Sequence, residues 1–158
     1  MKYLVLLAII FVIIYLFIFD KGDDPMEVQS VFNGFVESGK KKDLDKTTGY
    51  ISRNYRDDYG GNYIFIKNIL RNIFEKYEGL DARYKDLLVR FEKGPNDEDR
   101  AVAKLKVFVE ATKGGIPVNI VGSNDDFDTV TVYLEKSSFG NWKIIRVEGL
   151  DAAEGSYY

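Results

Sequence analysis

The chain has 158 residues, 46% of them apolar and 30% charged, with a net charge of −3 and neither cysteine nor histidine. That composition belongs to a globular protein, and it excludes disulfides, thiol nucleophiles, cysteine or histidine metal sites and any mechanism that passes a proton through imidazole. The 22 basic and 25 acidic residues are interspersed, so there is no concentrated basic footprint for nucleic acid. The longest basic run, Lys40-Lys41-Lys42, follows a predicted helix end, where cations oppose the helix dipole.

Every residue from Tyr3 to Phe19 is apolar or aromatic. As a helix this stretch is about 25 Å long, near the lower limit for crossing a bilayer, and Lys2 extends it by reaching to the interface. The residues that follow, Asp20-Lys21-Gly22-Asp23-Asp24, lack the small-residue pattern of a cleavage site. Residues 1–20 therefore read as a retained transmembrane signal anchor, with contact to the membrane through 3–19. Lys2 before the segment and carboxylates after it orient the N-terminus inward, which predicts a single-pass protein of the cell membrane with its domain outside the cytoplasm. About 135 residues remain, enough for one domain and too few for two.

That domain is expected over 24–150. Asp24, Pro25 and Glu27 mark a helix start with a capping box, Val28, Val31, Phe32, Phe35 and Val36 share one helical face, and Gly39 is the expected stop. A short helix begins at Asp43. Residues 51–62 read as an irregular loop rich in tyrosine and aspartate, and Asn62 is placed to cap a third helix carrying Ile66, Ile69, Leu70, Ile73, Phe74 and Tyr77 up to Gly79.

From Leu87 the period changes to two. Ala101, Ala103, Leu105, Val107 and Val109 alternate with Lys104, Lys106, Phe108 and Glu110; Val130, Val132 and Leu134 repeat the pattern, and a last strand covers 142–147. Short turns containing Gly94-Pro95, Gly114-Gly115 and Gly140-Asn141 join these runs into an antiparallel meander. Helices first and strands after predict an α+β fold with the helices on one face of a curved antiparallel sheet. Residues 151–158 show no pattern and read as a C-terminal tail.

This order, a capped helix, a short helix, the loop ISRNYRDDYG, a long helix and a meander ending in GNWKIIRVEG, resembles the nuclear transport factor 2-like superfamily, the cone fold shared with ketosteroid isomerase-like proteins. The resemblance spans most of the domain and implies a fold more than a task, because the superfamily includes isomerases, dehydratases, receptors, dimerisation modules and secretion-machinery subunits. With a membrane helix in front, the architecture also looks like the inner-membrane scaffold subunit of type IV secretion systems. Catalytic relatives place an aspartate base inside the cone, often with a histidine or tyrosine. Here the candidates are Asp57 and Asp58 with Tyr55, suited to proton abstraction beside a carbonyl if the carboxylate pKa is raised. The competing reading makes Tyr55 a core ring and the aspartate a turn-former.

The predicted inner sheet face, Ala101 to Val109 with Val130, Val132 and Leu134, has no ionisable group and suits at most an apolar ligand. The predicted outer face carries Phe108, Tyr133, Trp142 and Ile144 among polar residues, a candidate partner surface in a superfamily that often dimerises through that face. Asn124, Asp126, Asp128 and Glu135 fall on a calcium-loop template, but Thr129 stands where glycine is needed and a strand follows instead of a helix, so no metal site is expected. No cofactor is implied either. Taken together, these residues predict a membrane-tethered, non-catalytic domain that binds an envelope protein or a second copy of itself. The alternatives are a small isomerase or dehydratase and a carrier of a small apolar ligand.

Overall fold

The computed structural model describes residues 23–150; the expectations for 1–20 and for 151–158 lie outside them. Among the described residues no helix is long and apolar enough to cross a membrane. Three helices, α1 (Pro25–Lys40), α2 (Leu44–Thr48) and α3 (Tyr63–Lys76), precede five strands: β1 (Gly79–Lys93), β2 (Asp99–Lys113), β3 (Ile116–Val121), β4 (Asp128–Lys136) and β5 (Trp142–Glu148). The strands form one antiparallel sheet in the order β1-β2-β4-β5. The far end of β2, beyond its pairing with β4, is taken by β3. This is the expected α+β arrangement, with α1 packed on the sheet.

Local chemistry sets most helix ends. The Asp24 carboxylate accepts the Met26 N–H at 2.8 Å, Asp43 accepts the Lys46 N–H at 3.0 Å, and Asn62 accepts the Phe65 N–H at 3.0 Å. Each satisfies a donor that the first helical turn leaves free. Three expectations need correction. Glu27 closes no capping box, because its carboxylate accepts the Trp142 indole N–H at 3.2 Å and lies 3.6 Å from the Lys136 ammonium. Gly39 stays helical; the left-handed residue that ends α1 is Lys42, at φ 55°, with its N–H on Gly39 O and the Asp43 N–H on Ser38 O. Gly79 opens β1 and does not stop α3, which ends at Lys76 with Tyr77 already extended.

The sheet also departs from the expected strand list. β1 begins eight residues before Leu87, and the alternation there is hidden by a bulge: the register against β2 runs evenly from Gly79 to Lys85, then slips at Asp86 (φ 56°) before resuming at Leu88. β3 has no counterpart among the expected strands. Gly114 (φ 60°) and Gly115 (φ 77°) supply the two left-handed residues of a tight hairpin that returns the chain along β2.

The core lies between α1 and the sheet. Val28, Val31 and Phe32 meet Ala101, Ala103, Leu105, Val130, Val132 and Leu134, closed at one end by Ile51, Tyr55, Tyr63, Trp142 and Ile144. Two fully buried alanines on β2 let the helix approach closely, and Phe32 stacks tilted on Tyr84 at 5.9 Å. Val107 and Val109, expected inside with the rest, are only half-buried. Between α1 and α2 runs a buried polar seam: Thr47 Oγ1 lies 3.0 Å from Ser38 Oγ and 2.7 Å from Asp43 O, so the two hydroxyls satisfy each other away from water.

Candidate functional site

The loop between α2 and α3 is laced to the edge of the sheet. Ser52 and Arg56 N–H groups donate to Ile144 O (2.8 Å) and Ile145 O (3.0 Å), and Ile144 N–H donates to Tyr50 O (2.9 Å). This lacing carries Tyr55 into the core, 4% exposed, with its hydroxyl 3.4 Å from Asp57 Oδ2. Burial, then the adjacent Asp57 charge and the hydrogen bond to it, push the Tyr55 phenol up to about 12, against a smaller opposing contribution from the Val147 backbone. A phenol so weakly acidic keeps its proton across the neutral range.

Asp57 is occupied by its own turn. Its Oδ1 accepts the Gly61 N–H at 2.7 Å and the Tyr59 N–H at 3.0 Å. Gly61 is required at that approach, since a Cβ there would lie 2.3 Å from Asp57 Oδ2. Asp58 points outward and pairs with Arg146 at 3.7 Å. Of the three candidate catalytic residues, then, Tyr55 and Asp57 meet, and Asp58 stands apart in solvent. The pair they make is the turn-forming alternative: an aspartate that satisfies backbone donors beside a buried ring.

The outer-face candidates separate as well. Trp142 and Ile144 lie on the inner face, 3% and 5% exposed, because Ile144 pairs with Leu134 and Trp142 with Lys136. A register slip at Ile145 then turns Val147 inward and leaves Arg146 beside Tyr133 on the outside. Trp142 packs tilted on Phe91 at 5.7 Å. Phe108 does sit on the outer face, yet it is fully covered: Phe127 from the β3–β4 connection lies 5.5 Å away and the Arg83 guanidinium stacks at 4.6 Å. Of the four, Tyr133 alone remains half-exposed, beneath Arg146 at 4.3 Å and donating to Glu148 at 2.9 Å.

Elsewhere the outer face mixes ion pairs with Lys104, Thr129, Thr131 and the exposed Leu88. Arg100 lies between Glu98 and Glu135, and Arg90 pairs with Glu92. Of the four residues expected to form a partner surface, three are therefore buried among the described residues. The calcium template does not converge: Asn124 takes the Arg83 guanidinium at 2.8 Å, Asp128 takes the Gly122 N–H at 2.9 Å, and Glu135 turns to Arg100. Among the described residues no group of three carboxylates is gathered for a metal ion.

What the periodicity did not reveal is a cleft of about 550 Å³ between α1 and the outer edge of β1. Its helix wall is Gln29, Asn33, Val36 and Lys40, and its strand wall is the continuous run 82–87. Tyr84 crosses the floor and donates its hydroxyl to Asn33 Oδ1. The visible signal was Gln29, Asn33 and Lys40, at spacings of four and seven beside the apolar face of α1; the strand wall was hidden by the bulge.

No protein-family model and no curated protein matches the sequence. Solved structures do match the fold. A candidate scytalone dehydratase from Novosphingobium aromaticivorans superposes with a TM-score of 0.64 at 10% identity, over 77% of this chain and 79% of that one. A candidate dehydratase of the NTF2-like family from Streptomyces avermitilis superposes with a TM-score of 0.59 at 14% identity, over 77% and 91%. Bd1075 of Bdellovibrio bacteriovorus gives a TM-score of 0.60 at 17% identity; the match takes in 78% of this chain and 40% of Bd1075, so the chain spans well under half of that protein. At these identities the likeness is one of fold alone: the described residues share a cone-shaped α+β fold with these structures.

Proposed function

We propose that this is a non-catalytic binding domain, tethered to a membrane through residues 3–19 and displayed outside the cytoplasm, where it engages a protein partner. One observation carries the non-catalytic part: the carboxylate nearest the cone interior, Asp57, commits Oδ1 to the Gly61 and Tyr59 amides and turns Oδ2 to the Tyr55 hydroxyl, whose ring holds a proton up to about pH 12. A general base needs a free lone pair within reach of a substrate proton and a pKa near the working pH. Two of the fold neighbours are candidate dehydratases, which keeps the isomerase or dehydratase reading as the one to test against.

The test uses the full-length chain in cells lacking the native gene. Tyr55→Phe and Asp57→Asn variants that accumulate to normal levels are expected to restore the deletion phenotype as well as the unaltered protein does. An inactive Tyr55→Phe protein of unchanged abundance and melting temperature would overturn the reading. Protease added to intact cells is expected to cleave the domain; protection until the membrane is opened would refute the proposed orientation.

A further inference from the structure

The cleft beside β1 has the geometry of a strand acceptor. β1 is a terminal strand of the sheet: β2 pairs with one side, and among the described residues no strand pairs with the other. From Gly79 to Lys85 its register is even, so alternate residues direct N–H and C=O groups outward in an unbroken row. Sheet edges of this kind are normally blunted by a bulge, a proline or a covering element. The bulge here comes at Asp86, after the regular stretch, and α1 stands beside the edge without covering it. The result is a slot, open to solvent, whose strand wall of six residues runs about 20 Å and accommodates roughly five or six residues of guest chain.

Its charge selects the guest. Among the lining residues three bases, Lys40, Arg83 and Lys85, meet one carboxylate, Asp86, and Asp81 and Glu110 lie beside them across β1 and β2. Asp81 is shared between Lys40 (3.5 Å) and Arg83 (3.1 Å), and Asp86 is held by Lys106 at 3.3 Å. Lys85 rests on the Phe127 ring at 4.2 Å and has no carboxylate partner among the described residues. Val36 and Leu87 add half-buried aliphatic surface to the same slot. A second copy of this strand is penalised in the register centred on Tyr84. Two β1 strands paired antiparallel about Tyr84 would set Arg83 opposite Lys85 twice, and like charges directly opposite destabilise a pair.

We propose that the free edge of β1 between Ala82 and Lys85, walled by α1, captures an extended segment of a protein partner in which acidic and aliphatic residues alternate. The partner adds a strand to the sheet. Main-chain hydrogen bonds to β1 supply affinity, acidic side chains on the outer face of the guest reach Lys85 and Arg83, and aliphatic ones on its inner face lie against Val36 and Leu87. This rests on the binding-domain reading and gives it a surface and a ligand chemistry.

The experiment uses the full-length chain in detergent micelles and a synthetic octapeptide alternating glutamate and valine, with a lysine–valine octapeptide as control. The acidic peptide is expected to slow hydrogen exchange at the outward-facing amides within 82–85. Lys85→Glu, on the exposed surface, is expected to weaken binding at least about tenfold while the melting temperature holds, with Lys85→Gln between the two. Equal binding of the lysine peptide would overturn the proposal, as would unchanged exchange at 82–85 under saturating acidic peptide. Protection confined to another surface, α3 for example, would overturn this assignment and leave the binding-domain reading standing. Failure of the cellular test with slowed exchange at 82–85 would do the reverse.

Discussion

Helices α1 and α3 read alike in sequence and differ in the folded protein. Both are amphipathic and of similar length, 16 and 14 residues, and both are capped by a side chain at the expected position. α1 buries Val28, Val31 and Phe32 almost completely. α3, with a sharper apolar stripe, fully buries Tyr63 alone and leaves Ile64 and Phe65 more than half exposed. Periodicity tells which face turns inward, not how deeply it goes. Depth depends on what waits on the other side. α1 meets two alanines that admit it, the Tyr84 ring and an indole that needs its Glu27. α3 is held at its start by Arg53 stacked on Tyr63 at 4.2 Å and by an ion pair from Lys67 to Asp45 at 3.4 Å, while only Ile66 and Leu70 of its stripe reach the core.

The difference is open to attack in order of size. Phe32→Ala should cost about 3–5 kcal/mol in urea unfolding, because it empties a site closed by Tyr84 and β2; a loss below 1 kcal/mol would mean α1 is no better anchored than α3. Second comes the alkaline limit, which probes the loop joining the two helices. Tyr55 has its folded pKa raised from 10.0 to about 12, so its contribution is complete below pH 10 and is lost as pH rises through about 12. Ultraviolet difference titration should show one tyrosine ionising late, together with unfolding; ionisation of all tyrosines near pH 10 would contradict its burial. Asn62→Ala, which removes the cap of α3, should cost about 1 kcal/mol. Phe65→Ser should change stability by less than about 0.5 kcal/mol, and a larger loss would show that the outer flank of α3 is covered after all.

The same contrast explains what could be read without coordinates. Caps are local: Asp24, Asp43 and Asn62 announce themselves because their partners lie two or three residues away. The alternation of β2 and β4 was equally plain, and with it six of the eight expected inner-face residues. Features set by register were not visible. The slip at Asp86 concealed the first half of β1, and the pairing of Ile144 with Leu134 and of Trp142 with Lys136 put both residues inside, where they were expected outside. Phe108 failed for another reason. Its face was right, but no pattern in β2 tells that the β3–β4 connection folds Phe127 over it and that Arg83 of the neighbouring strand stacks on it. At the candidate site, the proximity of Tyr55 and Asp57 followed from spacing, while the direction in which Asp57 spends its oxygens depended on the turn at Gly61.

The contact between Glu27 and Trp142 joins residues near opposite ends of the domain, 115 positions apart. A growing chain cannot make it until the last strand has emerged, so α1 lacks its partner at this end through most of synthesis. Contacts of such sequence separation are the ones that slow folding. Trp142 is the single tryptophan of the chain, buried against Phe91 and beneath the Lys136 ammonium at 5.3 Å. Its fluorescence therefore works as a built-in clock for the closing event, reporting when the first helix and the final strand find each other.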